Sequence, residues 1–315
     1  MTEPYSAAGG LVRVYPPTTP PGMIANGAGL VWAHGGGFAG GDLDMPEADG
    51  VARALAARGV TVVSVDYSLA PLPQALTDRF GHAAKDGVHY PAASDDIVAA
   101  FRWAFESELS PGPWAIGGAS AGANLVTGAT LRLVADVGLD PALVVLAYPT
   151  LLAVQPEPDA DLRAALDADP EADTFGPDAV LGMYENYLGG PVDAAPLPAV
   201  PGLATAEDLA HFPPTLMING EVDELRVSGE HFARTLADAG RDIVVLTEPG
   251  TRHGHLNRPE EAAFAASLER IAARLAALPP DSNPRHTPVA PESVDSRADV
   301  STRASTTLPT EGSLP

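Results

Sequence analysis

Four short stretches of this sequence hold residue types that could do covalent chemistry. In "GGASAGAN", Ser120 lies between Gly118 and Gly122, after an apolar run and before a helical pattern. That is the context of a nucleophile elbow, a sharp turn that lifts a serine hydroxyl clear of the backbone. Glycine on either side lets neighbouring main chain pack against the turn. The N-terminus of the following helix favours developing negative charge. In "HGGGF", His34 to Phe38, three glycines allow backbone N–H groups to point into a site unhindered. Such donors stabilise an oxyanion as it forms, and Ala121, next after the serine, adds another amide. The spacing matches neither G-x-G-x-x-G nor G-x-x-x-x-G-K-[ST], which speaks against a phosphate loop.

A serine nucleophile needs a base, and the base needs a carboxylate to orient it. "LMINGEVDEL" places Glu221, Asp223 and Glu224 just past an apolar run, and the residues alone leave the choice among them open. "VVLTEPGTRHGHLN" places His253 and His255 past another run. His253 is the expected base. It is nearer the end of the run at Thr247, and Gly254 gives the loop freedom to turn the ring toward Ser120.

These residues need elements to position them. Strand-like runs occur at Leu30–Ala33, Val60–Val65, Trp114–Gly117, Leu143–Ala147, Thr215–Asn219 and Ile243–Thr247. They are short and continuously apolar, as strands buried on both faces are. Helical patterns alternate with them at Pro46–Arg58, Ala92–Glu106, Ala121–Val137, Val227–Ala239 and Pro259–Ala277, with Gly59, Gly138 and Gly240 at expected C-terminal stops. The alternation predicts a doubly wound α/β fold: a mostly parallel central sheet with helices on both faces. Leu72 to Tyr90 reads as a surface loop. Residues 151–211 break the rhythm. They hold the acidic, Pro-rich "QPEPDADLRAALDADPEAD" and the helical "PDAVLGMYENYLGG", and are expected to form a small cap or lid. One domain is expected over 1–278. Residues 279–315, in which 18 of 37 are Pro, Ser or Thr, are expected to be a disordered tail.

The formal charge of −23 argues against nucleic acid and anionic membrane surfaces as partners. The chain has no cysteine, which excludes disulfides, thiolate metal sites and a cysteine nucleophile. The N-terminus shows no signal-peptide pattern, and no apolar run approaches the ~18 residues of a membrane span. A cytoplasmic location is the expectation. Nothing in the residues calls for a cofactor or a metal.

With these motifs the sequence resembles the hormone-sensitive-lipase-like branch of the α/β-hydrolases, bacterial esterases with an HGGG motif. The matching residues are "HGGGF", "VVSVDYSLAP" (Val62 to Pro71), "YPAASDD" (Tyr90 to Asp96), "GGASAGAN", "HFPPTLMINGEVDEL" (His211 to Leu225) and "GTRHGH". They span about Val31 to Leu275. The resemblance implies Ser120 as nucleophile, Asp223 as acid and His253 as base. It places Gly35, Gly36, Gly37 and Ala121 around the oxyanion hole, and Phe38 and His255 at the substrate pocket, His255 standing where the family's "HGF" has its aromatic. The family usually carries a longer N-terminal cap before HGGG, and its acid before the nucleophile is here Ala119. The implied activity is cofactor-free hydrolysis of small, short-chain acyl esters. An amidase or lactonase could use the same groups, and a ligand-binding protein on a hydrolase scaffold is the rival from another class. The sequence leaves the natural ester, stereochemical preference and a homodimer open.

Overall fold

Leu30 and Trp32 feed one hydrophobic cluster while Val31 and Ala33, their neighbours along the same run, feed another. A strand buried on both sides makes this pattern, and it explains the missing alternation in the sequence. A computed structural model describes residues 3–18, 26–72, 85–135 and 139–280. In chain order the strands are β1 (Tyr5–Ala7), β2 (Val12–Tyr15), β3 (Gly29–Ala33), β4 (Thr61–Val65), β5 (Trp114–Ala119), β6 (Val144–Ala147), β7 (Thr215–Val222) and β8 (Ile243–Arg252). The α-helices are α1 (Val51–Ala56), α2 (Ala92–Glu106), α3 (Ala121–Ala135), α4 (Ala160–Ala168), α5 (Pro177–Leu188), α6 (Arg226–Asp238) and α7 (Ala262–Ala276).

The eight strands form one sheet in the order β1-β2-β4-β3-β5-β6-β7-β8. Pairing is parallel from β4 to β8 and antiparallel at β1, β2 and the β2–β4 junction. Helices α2, α3 and α6 pack on one face, and α1 and α7 on the other. From β3 the chain moves outward to β4, then returns to lay β5 on the opposite side of β3. The topological switch therefore lies between β3 and β5, where open α/β sheets leave a crevice at the strands' carboxyl ends.

Several elements differ from expectation. β1 and β2 are absent from the sequence reading, being three and four residues long. The single helix expected over 46–58 is a wide turn, Pro46–Gly50, running into α1, and the Val51 amide reaches back five residues to the Pro46 carbonyl. Gly50, inside the expected helix, weakens a regular helix there. Within 151–211, α5 is the expected helix, while α4 hides in the acidic stretch. Asp159 caps α4 by accepting from the Leu162 amide, and Leu162 and Leu166 bury one face. Gly59 and Gly240 adopt φ of 95° and 69° as helix stops. Gly138, residues 73–84 of the expected surface loop, and the expected tail from 281 onward lie outside the described residues. No helix among the described residues is long and apolar enough to cross a membrane.

Candidate active site

Each expected site residue sits one to a few positions past a strand's carboxyl end: His34 after β3, Ser120 after β5, Asp223 after β7 and His253 after β8. Because those strands are parallel, these ends meet at one edge of the sheet.

The turn at Ser120 is as sharp as the motif predicts. Ser120 holds φ 54°, a left-handed conformation that costs a non-glycine residue roughly 1 kcal/mol or more. Its amide donates to the Ala147 carbonyl at 2.9 Å, so β5–β6 pairing holds the turn in place. The flanking glycines are needed for close approach. A Cβ on Gly122 would lie 2.2 Å from the His34 carbonyl oxygen, and one on Gly118 would lie 2.6 Å from the Gly122 carbonyl. Helix α3 thus abuts the end of β3, which brings the HGGG loop beside Ser120.

Asp223 and His253 meet through strand register. β7 and β8 pair beyond the sheet's centre, from Thr215↔Ile243 through Gly220↔Glu248 to Val222↔Arg252. The register shifts between Gly220 and Val222, where β8 spends two more residues than β7. The next residue on each strand is Asp223 and His253. His253 Nδ1 donates to Asp223 Oδ2 at 2.8 Å, and Nε2 lies 2.9 Å from Ser120 Oγ. Asp223 is fully buried and its Oδ1 accepts from the Leu225 amide at 2.9 Å, which fixes its plane. Of the three acids near the end of β7, Asp223 is the one in contact with His253. Glu221 points to the surface and accepts from the Gly250 amide, and Glu224 is buried with its carboxyl pushed up by burial and by Asp173. The arrangement lets Ser120 give its proton to a ring whose other nitrogen is held by a carboxylate.

The HGGG loop is aimed by its carbonyls. His34 Nδ1 donates to Gly35 O at 2.7 Å, and the Tyr67 hydroxyl donates to His34 O at 2.8 Å. Burial holds the His34 imidazole below its ordinary pKa, in the neutral form this contact uses. Gly36 O accepts the Ala39 and Gly40 amides. A peptide is planar and trans, so a pinned carbonyl turns the N–H of the next residue the opposite way. The Gly36 and Gly37 amides are left without a protein acceptor among the described residues. Gly36, Gly37 and Phe38 take φ of 121°, 59° and 66° in this turn.

Three expected placements are corrected. The Gly35 amide is not free to serve an oxyanion, because it donates to Glu47 Oε2. Gly35 instead gives close approach: a Cβ there would lie 2.6 Å from Glu47 Oε2 and 3.0 Å from Ser120 Cβ. Phe38 does not face the pocket. It is buried, stacked on Tyr187 at 4.2 Å and edge-on to Tyr184. His255 is not at the pocket edge but is fully buried beside Tyr148. Its Nε2 lies 2.9 Å from Ser267 Oγ, and the Ser267 hydroxyl donates to Glu248 Oε1 at 3.0 Å. Nε2 therefore carries the hydrogen, and Nδ1 is left buried without a partner. Burial, then the nearby Arg258 and His253, lower the His255 pKa to about 4.

Other residues at the site carry no local signal in the sequence. Tyr148, after β6, holds φ 36° and sets its ring edge-on to His253 at 5.0 Å. Phe175, from the segment joining β6 to β7, also packs against His253, with ring centroids 4.7 Å apart. Met183 of α5 covers the HGGG loop, its Sδ 3.3 Å from where a Gly37 Cβ would be. Arg252 ties the histidine loop to Asp169 and Glu171. Among the described residues, no cluster of three or more acids and histidines is placed to hold a metal.

Residues 30–257 match a family model described as the alpha/beta hydrolase fold. The chain is 36% identical over 252 residues to carboxylesterase NlhH of Mycobacterium tuberculosis, covering 78% of this chain and 71% of that protein. It is 31% identical over 255 residues to an ethyl acetate hydrolase of Pseudomonas putida, covering 77% and 70%. Among solved structures it superposes with a TM-score of 0.67 and 26% identity on brefeldin A esterase, a bacterial homologue of human hormone-sensitive lipase, covering 88% and 76%. With the turn at Ser120, the HGGG loop and the register of β7 and β8, these likenesses establish that the chain belongs to the α/β-hydrolase family, in its hormone-sensitive-lipase-like branch of carboxylic ester hydrolases.

Proposed function

We propose that the protein is a serine carboxylesterase for small, short-chain acyl esters. The observation that carries this reading is the continuous hydrogen-bonded line from Asp223 through His253 to Ser120. Ser120 Oγ attacks the ester carbonyl as its proton passes to His253 Nε2. Asp223 keeps the ring in the Nδ1–H tautomer and stabilises the imidazolium. The carbonyl's π electrons move to oxygen, and the amides of Gly36, Gly37 and Ala121 receive the charge. His253 then protonates the leaving alcohol, and water, deprotonated by the same ring, cleaves the acyl-enzyme.

Small substrates fit the surroundings. Phe175 and Met183 bring apolar walls against His253 and Gly37, and the relative named for ethyl acetate hydrolysis acts on a short ester. Ser120→Ala is expected to lower kcat by about 10⁴ to 10⁶ with circular dichroism unchanged. Retention of more than about a tenth of wild-type turnover defeats the mechanism. Across p-nitrophenyl esters, turnover is expected to be highest between acetyl and hexanoyl, and faster cleavage of palmitate than of butyrate rejects the chain-length assignment.

A further inference from the structure

Glu47 lies outside the motifs, yet it is buried at 1% exposure and its carboxylate receives donors from three separate segments. Oε2 accepts the Gly35 amide of the HGGG loop. Oε1 accepts the Tyr148 hydroxyl and, at 3.1 Å, the side-chain amide of Asn257, four residues past His253. The main chain of Glu47 is held as firmly. Its amide donates to Asn257 Oδ1 at 3.2 Å, and its carbonyl accepts the Trp32 indole N–H at 2.8 Å. The wide turn at Pro46–Gly50 is what places the residue there, as such turns often do at functional sites.

We infer that Glu47 is a positioning residue for ester hydrolysis, its carboxylate fixing the oxyanion loop and the His253 platform relative to one another. The inference rests on the esterase reading above. Two pieces of geometry support it. The peptide joining His34 to Gly35 is pinned at its carbonyl by Tyr67 and at its amide by Glu47. Releasing the amide leaves that plane held only at its carbonyl, and a shift at Gly35 passes to the next peptide, which carries the Gly36 N–H. On the other side, the Tyr148 ring packs T-shaped against His253 while its hydroxyl is anchored on Glu47. A misplacement of about 1 Å in such a constellation costs on the order of 10² in rate.

Glutamine cannot replace the carboxylate. Asn257 must keep its oxygen toward the Glu47 amide, so its NH₂ is committed to facing the side chain at 47. The glutamine NH₂ would then meet an N–H or O–H donor where an acceptor is needed.

The test compares wild type, Glu47→Gln and Glu47→Asp on a short p-nitrophenyl ester. It adds inhibition by a trifluoromethyl ketone and by the product alcohol. The ketone reports the oxyanion site: Ser120 Oγ adds to its carbonyl carbon, the π pair moves to oxygen, and the hydroxyl proton goes to His253. Both variants are expected to lose about 100-fold in kcat with KM within about threefold. Ketone affinity should fall in parallel while alcohol affinity holds. A folded variant with kcat within about threefold of wild type overturns the inference, as does equal loss of ketone and alcohol affinity, which marks general disorder of the pocket. If neither variant folds, Tyr148→Phe decides, with about tenfold lower kcat at unchanged KM in support and unchanged kcat against. Failure of the esterase reading looks different: wild type inactive on esters, or Ser120→Ala still active.

Discussion

On one side of Ser120, the HGGG loop is fixed by buried hydrogen bonds with His34, Tyr67 and Glu47. On the other, Arg252, the residue before His253, reaches Asp169 and Glu171 through ion pairs at 2.6 Å whose guanidinium side chain is 41% exposed. Buried hydrogen bonds among fixed dipoles barely respond to salt. Exposed ion pairs are screened over about 8–10 Å and contribute little net stability. The two sides therefore differ in what they can tolerate. The loop side has one arrangement, imposed by the core, whereas the segment joining β6 and β7 is held at its rim by contacts that loosen readily.

The largest effect should come from the one group that both sides serve. His253→Ala is expected to lower kcat by about three orders of magnitude or more, while His255→Phe stays within about tenfold. The reverse ranking in steady-state kinetics, at unchanged circular dichroism, overturns the assignment of the base.

A second, smaller effect concerns acid stability, at a buried group of the histidine loop. His255 has a folded pKa of about 4 against 6.5 for the free side chain. The unfolded chain therefore takes up a proton first as pH falls, and stability is lost between about pH 6.5 and 4. This loss amounts to about 3 kcal/mol. Denaturant melts at pH 7 and pH 4.5 should show a steeper loss in wild type than in His255→Phe. Equal slopes would show that His255 titrates normally in the fold.

The smallest effect is expected at the rim. Arg252→Gln should leave kcat/KM at low salt within about threefold of wild type. Wild type itself should move toward the variant as sodium chloride rises to about 1 M, where screening is nearly complete. A 100-fold loss in Arg252→Gln would erase the contrast between the two sides.

The sequence exposes one side of this comparison better than the other. Ser120, Gly122 and the HGGG run are legible because their requirement is local: a sharp turn and close backbone approach select glycine at fixed spacing. The strands of the sheet's centre are legible because burial on both faces makes them continuously apolar. Glu47 is not, since its partners are 12, 101 and 210 residues away in a chain with 41 acids. In "MPEADG" it looks like any acid in a helix's first turn. Helix α4 was hidden by composition, although Asp159 with Leu162 and Leu166 is a readable cap and apolar pair. The misplacement of Phe38 and His255 has one cause. Both follow a site residue closely in sequence, but tight turns send their side chains into the core.

The left-handed turns at Ser120 and Tyr148, φ 54° and 36°, end adjacent strands β5 and β6. Each is a conformation that glycine adopts freely and serine or tyrosine adopts at a cost. That cost is met when the chain folds, so it weighs on every molecule whether or not substrate is present. Selection for heat resistance alone would then favour glycine at 120 and 148, and would discard the hydroxyl and the ring in the same step. A lineage or a directed-evolution campaign keeps these side chains only while turnover itself is being selected.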